Sequence, residues 1–400
     1  MPSGLITIAQ ARELVLQSTR PLAPPELIEV DHALDRVLAQ DVAAAGDVPP
    51  FPCSAMDGYA VTAGPAGRVL TVFGESRAGA PSERPVENGQ ATRISTGAAI
   101  PPGASAVIPQ ENVEVRDGTI TTTAPVREGE HVRHAGEDIP AGTTVLAAGS
   151  RLRAAELGAA VASGLGRVLV ARRPRVQVLC TGDELRPPGE PLGPGEIHNS
   201  NALMLVALAA RCGAVAPAAG RLPDDRAATV EALAAALDHA DVTIVSGGVS
   251  VGPHDHVKPA LAQLQVEEVF WGVSLQPGKP TWFGVRDDRL VFGLPGNPVS
   301  AFVTFTLFAS HALAALQGTT VAPAIEPEAI LAMAVHRHNR EQAVRVKLER
   351  RDGAMVAVPN GPQGSHIITS LLGADALALI PPGSGEMPAG ASVALEPLPG

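Results

Sequence analysis

The chain has 400 residues, 41 of them Gly and 37 Pro, a formal net charge of −11, and 45% hydrophobic but only 3% aromatic residues. At roughly 100–200 residues per domain this length holds two to four domains, with cores built from Ala, Val and Leu. The acidic balance argues against a nucleic-acid binder, whose affinity comes from a basic surface, but it leaves room for a small anionic ligand held by backbone N–H groups and a few placed cations.

The start, MPSGLITIAQAREL, has no basic segment followed by an apolar one and reads as a mature cytosolic terminus. AQARELVLQS has helical spacing, and residues 5–45 read as helical, with a second helix expected near His32–Gln40. From Val69 to Leu146, short β-branched runs separated by Gly and Pro predict a small all-β domain. Asp117-Gly118 between alternating runs marks a hairpin. A hydrophobic residue, Pro, any residue and Gly recur at Ile100–Gly103, Ile139–Gly142 and Met387–Gly390, a turn signature. AAELGAAVAS predicts a short helix.

Strand and helix then alternate. Strands are expected at Val176–Cys180, Val215–Ala219, Val242–Val245, VFWGVSL and RLVFG. Helices are expected at Asn201–Arg211, from Asp224 onward, at Val257–Leu264, and from Pro298 to a stop at Gly318. These are βαβ units with a mainly parallel sheet over 174–320. The apolar run ALMLVALAARCGAVAPAAG is broken by Arg211 and Gly213 and is too short to span a membrane. From Pro327 the pattern returns to strands, as in a second small, barrel-like β domain.

In a parallel α/β sheet, ligands bind beyond the carboxyl ends of the strands. Three motifs fall there: Thr181, Gly182, Asp183 and Glu184 in CTGDEL; Ser246, Gly247, Gly248 and Ser250 in SGGVS; and Pro295, Gly296, Asn297, Pro298 and Ser300 in GLPGNPVS. Each also suits an ordinary turn, but three at adjacent strand ends suggest one cleft. Pro298 at a helix start and Ser300 in the first turn make an anion seat. Glu184, Asp224 and Asp255 are hard-oxygen candidates for Mg²⁺ beside phosphates, although Asp224 also suits a helix cap. Lys279 in a Gly/Pro turn offers a point charge to an oxyanion. His254 and His256 share a face only on a strand, and no third ligand lies at zinc spacing, so zinc is not expected. Cys53, Cys180 and Cys212 are odd in number with no CxxC, so no disulfide framework is expected.

SAMDGYA, STGAAIPPGASAVIPQE, RHAGEDIPAG, CTGDELRPPGEPLGPGEIHNSN, SGGVSVGPHDHVK, PGKP, GLPGNPVSA and QGSHI, in that order, resemble the molybdopterin molybdotransferase family (bacterial MoeA and the gephyrin E domain). The resemblance implies a multidomain fold of α/β and all-β parts. Its parts would be an elongated helical/β dimerisation segment (1–45 plus 147–173), a small β domain (46–146), a three-layer α/β molybdopterin-binding domain (174–320) and a C-terminal β-barrel (327–400). It implies a cytoplasmic homodimer that inserts molybdate into adenylylated molybdopterin and releases AMP with Mg²⁺. A separate molybdopterin adenylyltransferase is then a possible partner. By the same resemblance, Asp57, Thr96, Arg133 and Asp138 complete the cleft of the other subunit, with Glu184, Asp224, Asp255, Pro295 and Pro298. Lys279, Ser300, Arg340 and Ser365 match positions that hold molybdate. Gly272 and Gln276 stand where many relatives have Lys, and tungstate remains an alternative oxyanion. The rival readings are an ATP-dependent molybdopterin adenylyltransferase and a non-catalytic scaffold.

Overall fold

The computed structural model describes residues 4–223, 225–249, 256–321 and 328–399. They fall into two compact units. One comprises 27–34 and 40–169; the other comprises the chain up to Glu26, residues 35–39, and everything from Val170 onward.

The smaller unit is built on a six-stranded sheet in the order Ala106–Pro109, Gly58–Val61, Gln90–Ile94, Val69–Ser76, Thr119–Thr122, Val113–Arg116. Only Val69–Ser76 and Gln90–Ile94 pair in parallel. The Asp117-Gly118 hairpin forms with both residues at positive φ (43° and 78°), the conformation a tight two-residue turn demands. Val61, Leu70, Ile108 and Ile120 fill its core. Gly103, Gly142 and Gly390 all take φ near +80°, and in each case the next residue's N–H returns to the Pro carbonyl, so the recurring Pro-x-Gly signature is one turn used three times.

The helix expected near His32–Gln40 does not form. Ile8–Gln17 is helical, closed at its start by a Thr7–Gln10 capping box. Beyond it the chain runs through the strand Glu26–Glu29, one 3-10 turn at Val30–His32, and the short strand Val42–Ala43. Pro21, Pro24 and Pro25 lack the N–H a helix needs, and Asp35 sits at φ 60°.

The larger unit carries the sheet Gly220–Leu222, Val176–Thr181, Val242–Ser246, Arg289–Leu294, Trp282–Arg286, Glu267–Trp271. The first four strands are parallel; Trp282–Arg286 runs opposite to them and Glu267–Trp271, antiparallel to it, runs with them, so the sheet is mixed. Alternate residues face opposite sides. Val178, Ile244 and Phe292 pack with the helices Ser200–Arg211 and Pro298–Thr304; Leu179, Val245 and Val291 pack with Arg226–His239 and Val257–Gln263. This is three-layer α/β architecture.

Three expectations need correction. Val215 makes only an isolated bridge with Arg175, and the edge strand is Gly220–Leu222, because Pro217 cannot donate to a ladder. VFWGVSL is not one strand: Glu267–Trp271 ends at Gly272 (φ 88°), and Leu275–Gln276 pairs with the C-terminal domain instead. The long apolar helix has a π-turn at Phe305–Ala309 between Pro298–Thr304 and Ser310–Leu316, and Arg12 Nε donates to the Leu307 carbonyl there at 3.3 Å. This helix is apolar enough to cross a membrane, but 83% of its apolar window is buried inside the protein, as in a core helix.

The C-terminal strands Glu328–Leu331, Glu341–Arg351, Ala354–Pro359, Ala376–Ile380 and Ser392–Pro397 close into a five-stranded barrel, since Glu341–Arg351 pairs with both Ala354–Pro359 and Ala376–Ile380. Leu331, Val346, Ala357 and Ile380 fill it.

Candidate functional site

The three loops do leave one edge. Cys180 is paired with Ser246, and Ser246 with Leu294, so Thr181, Gly247 and Pro295 lie at or just past adjacent strand ends. Gly247 and Gly248 take φ of 88° and 63°. A Cβ on Gly248 would lie 2.8 Å from both Thr181 Cγ2 and Val257 Cγ2, so this turn needs glycine for space as well as conformation.

One side chain joins two of the loops. Asn201 Nδ2 donates to Ser246 Oγ and to the Gly296 carbonyl, each at 2.8 Å. Asn201 is buried in the first turn of Ser200–Arg211, whose cap, Asn199, accepts from the Ala202 N–H at 3.1 Å. The Asn201 Oδ1 is buried without a hydrogen-bond partner among the described residues. Pattern reasoning on the sequence does not single out Asn201; a polar residue at a strand's carboxyl edge inside the HNSN run is its only signal.

Asp183 forms an exposed ion pair with Arg221 at 3.0 Å. Glu184 is exposed, its carboxylate folded over Gly182, where a Cβ would lie 2.5 Å from Oε2. Behind them Arg186 pairs with Glu196, whose carboxyl is held below the usual range by the Gly193 N–H and by Arg186. Cys180 is buried, and burial pushes its thiol up to about 11, which leaves it protonated and inert as a nucleophile. Glu184 offers the hard oxygens that suit Mg²⁺; Asp224, Ser250, His254 and Asp255 lie outside the described residues. The helix expected from Asp224 is Arg226–His239, capped by Asp225.

Toward the barrel, Pro298 occupies the first helical turn, Ser300 is buried in it, and the N-cap Asn297 donates to Ser365 Oγ at 3.2 Å. Lys279 belongs to the turn where its own carbonyl accepts from the Val273 N–H. Arg340 Nη1 donates to the Leu275 carbonyl at 3.0 Å in the same turn. A second arginine escapes the sequence patterns. Arg345 is fully buried among neutral oxygens, donating to Ser370 Oγ at 3.1 Å and the Gly364 carbonyl at 3.3 Å, and burial lowers its pKa to about 10. It braces the loop that carries Ser365. Its position inside the apolar strand AVRVKL is the available signal.

A cavity of about 500 Å³ lies elsewhere, lined by Arg175, Val176, Val215, Pro217, Ala236 and His239, at the amino-terminal part of the Val176–Thr181 strand. None of the described candidate residues lines it.

In the smaller unit, Asp57 Oδ1 accepts from the Thr96 N–H at 2.7 Å and the Thr96 hydroxyl at 3.0 Å. These bonds, with Arg93, hold the Asp57 carboxyl below its ordinary range. The next position must be Gly58, because a Cβ there would lie 2.1 Å from the Ile108 carbonyl oxygen. Arg133 stands opposite Cys53 and the Gly97 N–H bonds the Ser54 carbonyl, so Asp57, Thr96 and Arg133 gather around one short strand. Asp138 lies farther along the same ribbon, its N–H on the Val48 carbonyl.

The class of protein is thus a multidomain one in which a three-layer α/β domain, with a glycine-built turn at its carboxyl edge, is joined to a closed barrel whose Ser365 meets Asn297. Residues 6–164 match the MoeA N-terminal region (domains I and II), 177–315 a probable molybdopterin binding domain, and 328–398 the MoeA C-terminal region (domain IV). A molybdopterin molybdenumtransferase of Haemophilus influenzae is 36% identical over 98% of both chains, and a molybdopterin molybdenumtransferase 2 of Mycobacterium tuberculosis is 36% identical over 94% of this chain and 95% of its own. The crystal structure of a MoeA protein of molybdopterin biosynthesis from Pyrococcus horikoshii superposes with a TM-score of 0.83 at 31% identity, covering 98% of this chain and 99% of its own. The chain belongs to the molybdopterin molybdenumtransferase (MoeA) family, a family of transferases.

Proposed function

We propose that the chain inserts molybdate into adenylylated molybdopterin and releases AMP, with Mg²⁺, in the cytoplasm. The observation that carries this is the convergence of the CTGDEL, SGGVS and GLPGNPVS loops at one sheet edge, with Asn297 joined to Ser365 of the barrel. The Gly247–Gly248 turn takes the phosphates through the Gly248 and Val249 N–H groups, the Gly247 N–H being donated to the Leu294 carbonyl at 3.0 Å; the Asn297–Ser300 helix start takes an anion, and Lys279, Arg340 and Ser365 hold the oxyanion near it. Arg345 keeps the Ser365 loop in place. Mg²⁺, when bound through Glu184, Asp224 and Asp255, offsets the charge of the phosphoanhydride. No protein nucleophile is required, in keeping with the buried, protonated Cys180; the chain supplies position and electrostatics.

The chain acts as a homodimer in which residues 1–45 and 147–173 form the pairing segment and Asp57, Thr96, Arg133 and Asp138 complete the partner's cleft. The test supplies adenylylated molybdopterin, molybdate and Mg²⁺ and measures AMP. No AMP from protein that binds the pterin nucleotide sinks the reading; pyrophosphate formed from ATP without molybdate favours the adenylyltransferase.

A further inference from the structure

Only two tryptophans occur in the chain. Trp282 is buried and donates to Glu268 Oε2 at 2.6 Å. Trp271, at the end of Glu267–Trp271, is half-buried, and two groups meet its indole. Nε1 donates to the Val249 carbonyl at 3.2 Å, and the Lys258 ammonium stands 4.0 Å from the ring centroid. Val249 directly succeeds the Gly247–Gly248 turn, and Lys258 lies in the first turn of Val257–Gln263.

The surroundings leave that turn little freedom. Val249 is buried, and a Cβ on Gly293 would lie 2.6 Å from its Cγ1. Gly248 packs against Val257. The turn and the helix start are thus pressed together and fastened to one ring, the turn through a hydrogen bond and the helix through a cation over the ring face.

We propose that Trp271 is the positioning residue of the anion cradle: by holding the Val249 carbonyl and Lys258 together, it fixes the direction of the backbone N–H groups of Gly248 and Val249. Trp271 itself touches no ligand. The inference rests on reading this edge as the pterin nucleotide site.

Trp271→Phe removes the N–H but keeps a ring face for Lys258; Trp271→Leu removes both; Lys258→Met removes the cation. The readouts are the Kd for AMP, the KM and kcat with adenylylated molybdopterin, and Tm. Losing the hydrogen bond in Trp271→Phe is expected to raise Kd and KM about five- to tenfold, with Tm nearly unchanged and a larger rise in Trp271→Leu. AMP is expected to change the wild-type tryptophan fluorescence, and that response to vanish in Trp271→Phe while Trp282 still emits. Folded Trp271→Phe with unchanged Kd, KM and fluorescence response overturns the proposal; if Trp271→Leu fails to fold, Trp271→Phe and Lys258→Met decide. Wild-type protein that binds neither AMP nor the pterin nucleotide instead overturns the reading of the edge, and this inference with it.

Discussion

Asn201 Nδ2 lies 2.8 Å from Ser246 Oγ and also reaches the Gly296 carbonyl, so one amide ties the ends of two neighbouring strands. The donation to a carbonyl fixes which amide atom is nitrogen. Asn201→Leu removes both bonds, the one to Ser246 Oγ being buried, which costs about 1–3 kcal/mol. Denaturant unfolding should show that loss, and KM for the pterin nucleotide should rise as the two loops part. Ser246→Ala should cost less, and the double variant should cost less than the sum of the two, because the residues share a bond. Strict additivity would mean that the amide does not couple the loops.

The parallel strands and their carboxyl-end loops were legible because continuous apolar runs ending in Gly-rich turns have few other readings. GLPGNPVS was legible for a local reason: Pro298 and the residues around it carry the chemistry of a helix start. Asn201 and Arg345 were not, because each is a lone polar residue in an apolar run whose partners lie far off in sequence. Ser246 is 45 residues from Asn201, and Ser370 is 25 from Arg345. Val215–Ala219 failed for a smaller reason, a single proline that period-two alternation does not weigh.

Asp57 should stay ionised well into acid. The Thr96 backbone N–H is the largest cause of its lowered pKa, then the Thr96 hydroxyl, with Arg93 adding attraction. A carboxyl depressed in the folded state adds stability that is fully present above the ordinary aspartate pKa of about 3.9 and is lost as pH falls through the lower folded value. The Thr96 amide resonance should therefore titrate below the ordinary aspartate range. In Thr96→Val, which keeps the backbone donor, the midpoint should move up only part of the way. A midpoint at the ordinary value in the wild type would show that the contact does not form in solution.

Asp241 supplies a stability control away from the cleft. It lies just before Val242, at the amino end of that strand. Burial pushes its carboxyl up, but Arg172 (3.0 Å to each oxygen), the Arg175 N–H (2.8 Å) and Arg289 (2.8 Å) outweigh burial, so its pKa is lowered. Asp241→Asn leaves two guanidiniums facing a neutral amide. With the arginines partly solvated, the loss should be about 2 kcal/mol, under the cost of breaking a fully buried pair. KM should not move, because the opposite end of the strand carries the cradle. In the wild type, the stabilisation should hold above the ordinary aspartate value and fall away as pH drops through the lower folded value. A large KM effect would mean that strain passes along the strand to the cleft.

The proposed sharing of each site between two subunits makes a strong prediction by complementation. Asp57→Asn and Glu184→Gln homodimers should each be nearly inactive. Mixed and re-associated at equal amounts, half the dimers become heterodimers with one intact site of two, so activity should return to about a quarter of wild type, given a symmetric dimer. No recovery in a mixture shown to exchange subunits would place both residues in one subunit's site.

Gly272 and Gln276 occupy positions where the family resemblance leads one to expect lysine, and the structure treats them differently. Gly272 sits at φ 88°, and a Cβ there would meet Leu5 Cδ2 at 2.8 Å. Lysine at 272 carries the left-handed backbone penalty, so Gly272→Lys should destabilise by about 1–2 kcal/mol. Gln276 is half-buried, pairs in parallel with Gln342, and is not among the residues at positive φ, so Gln276→Lys meets no such penalty. A cation there, in the turn that also carries Lys279 and receives Arg340, should tighten molybdate binding about tenfold, the effect of one charged contact. Calorimetric titration with molybdate reads this directly, with Lys279→Met as the opposite change. Unaltered affinity in Gln276→Lys, together with full affinity in Lys279→Met, would move the oxyanion away from this turn and toward the Asn297–Ser365 contact.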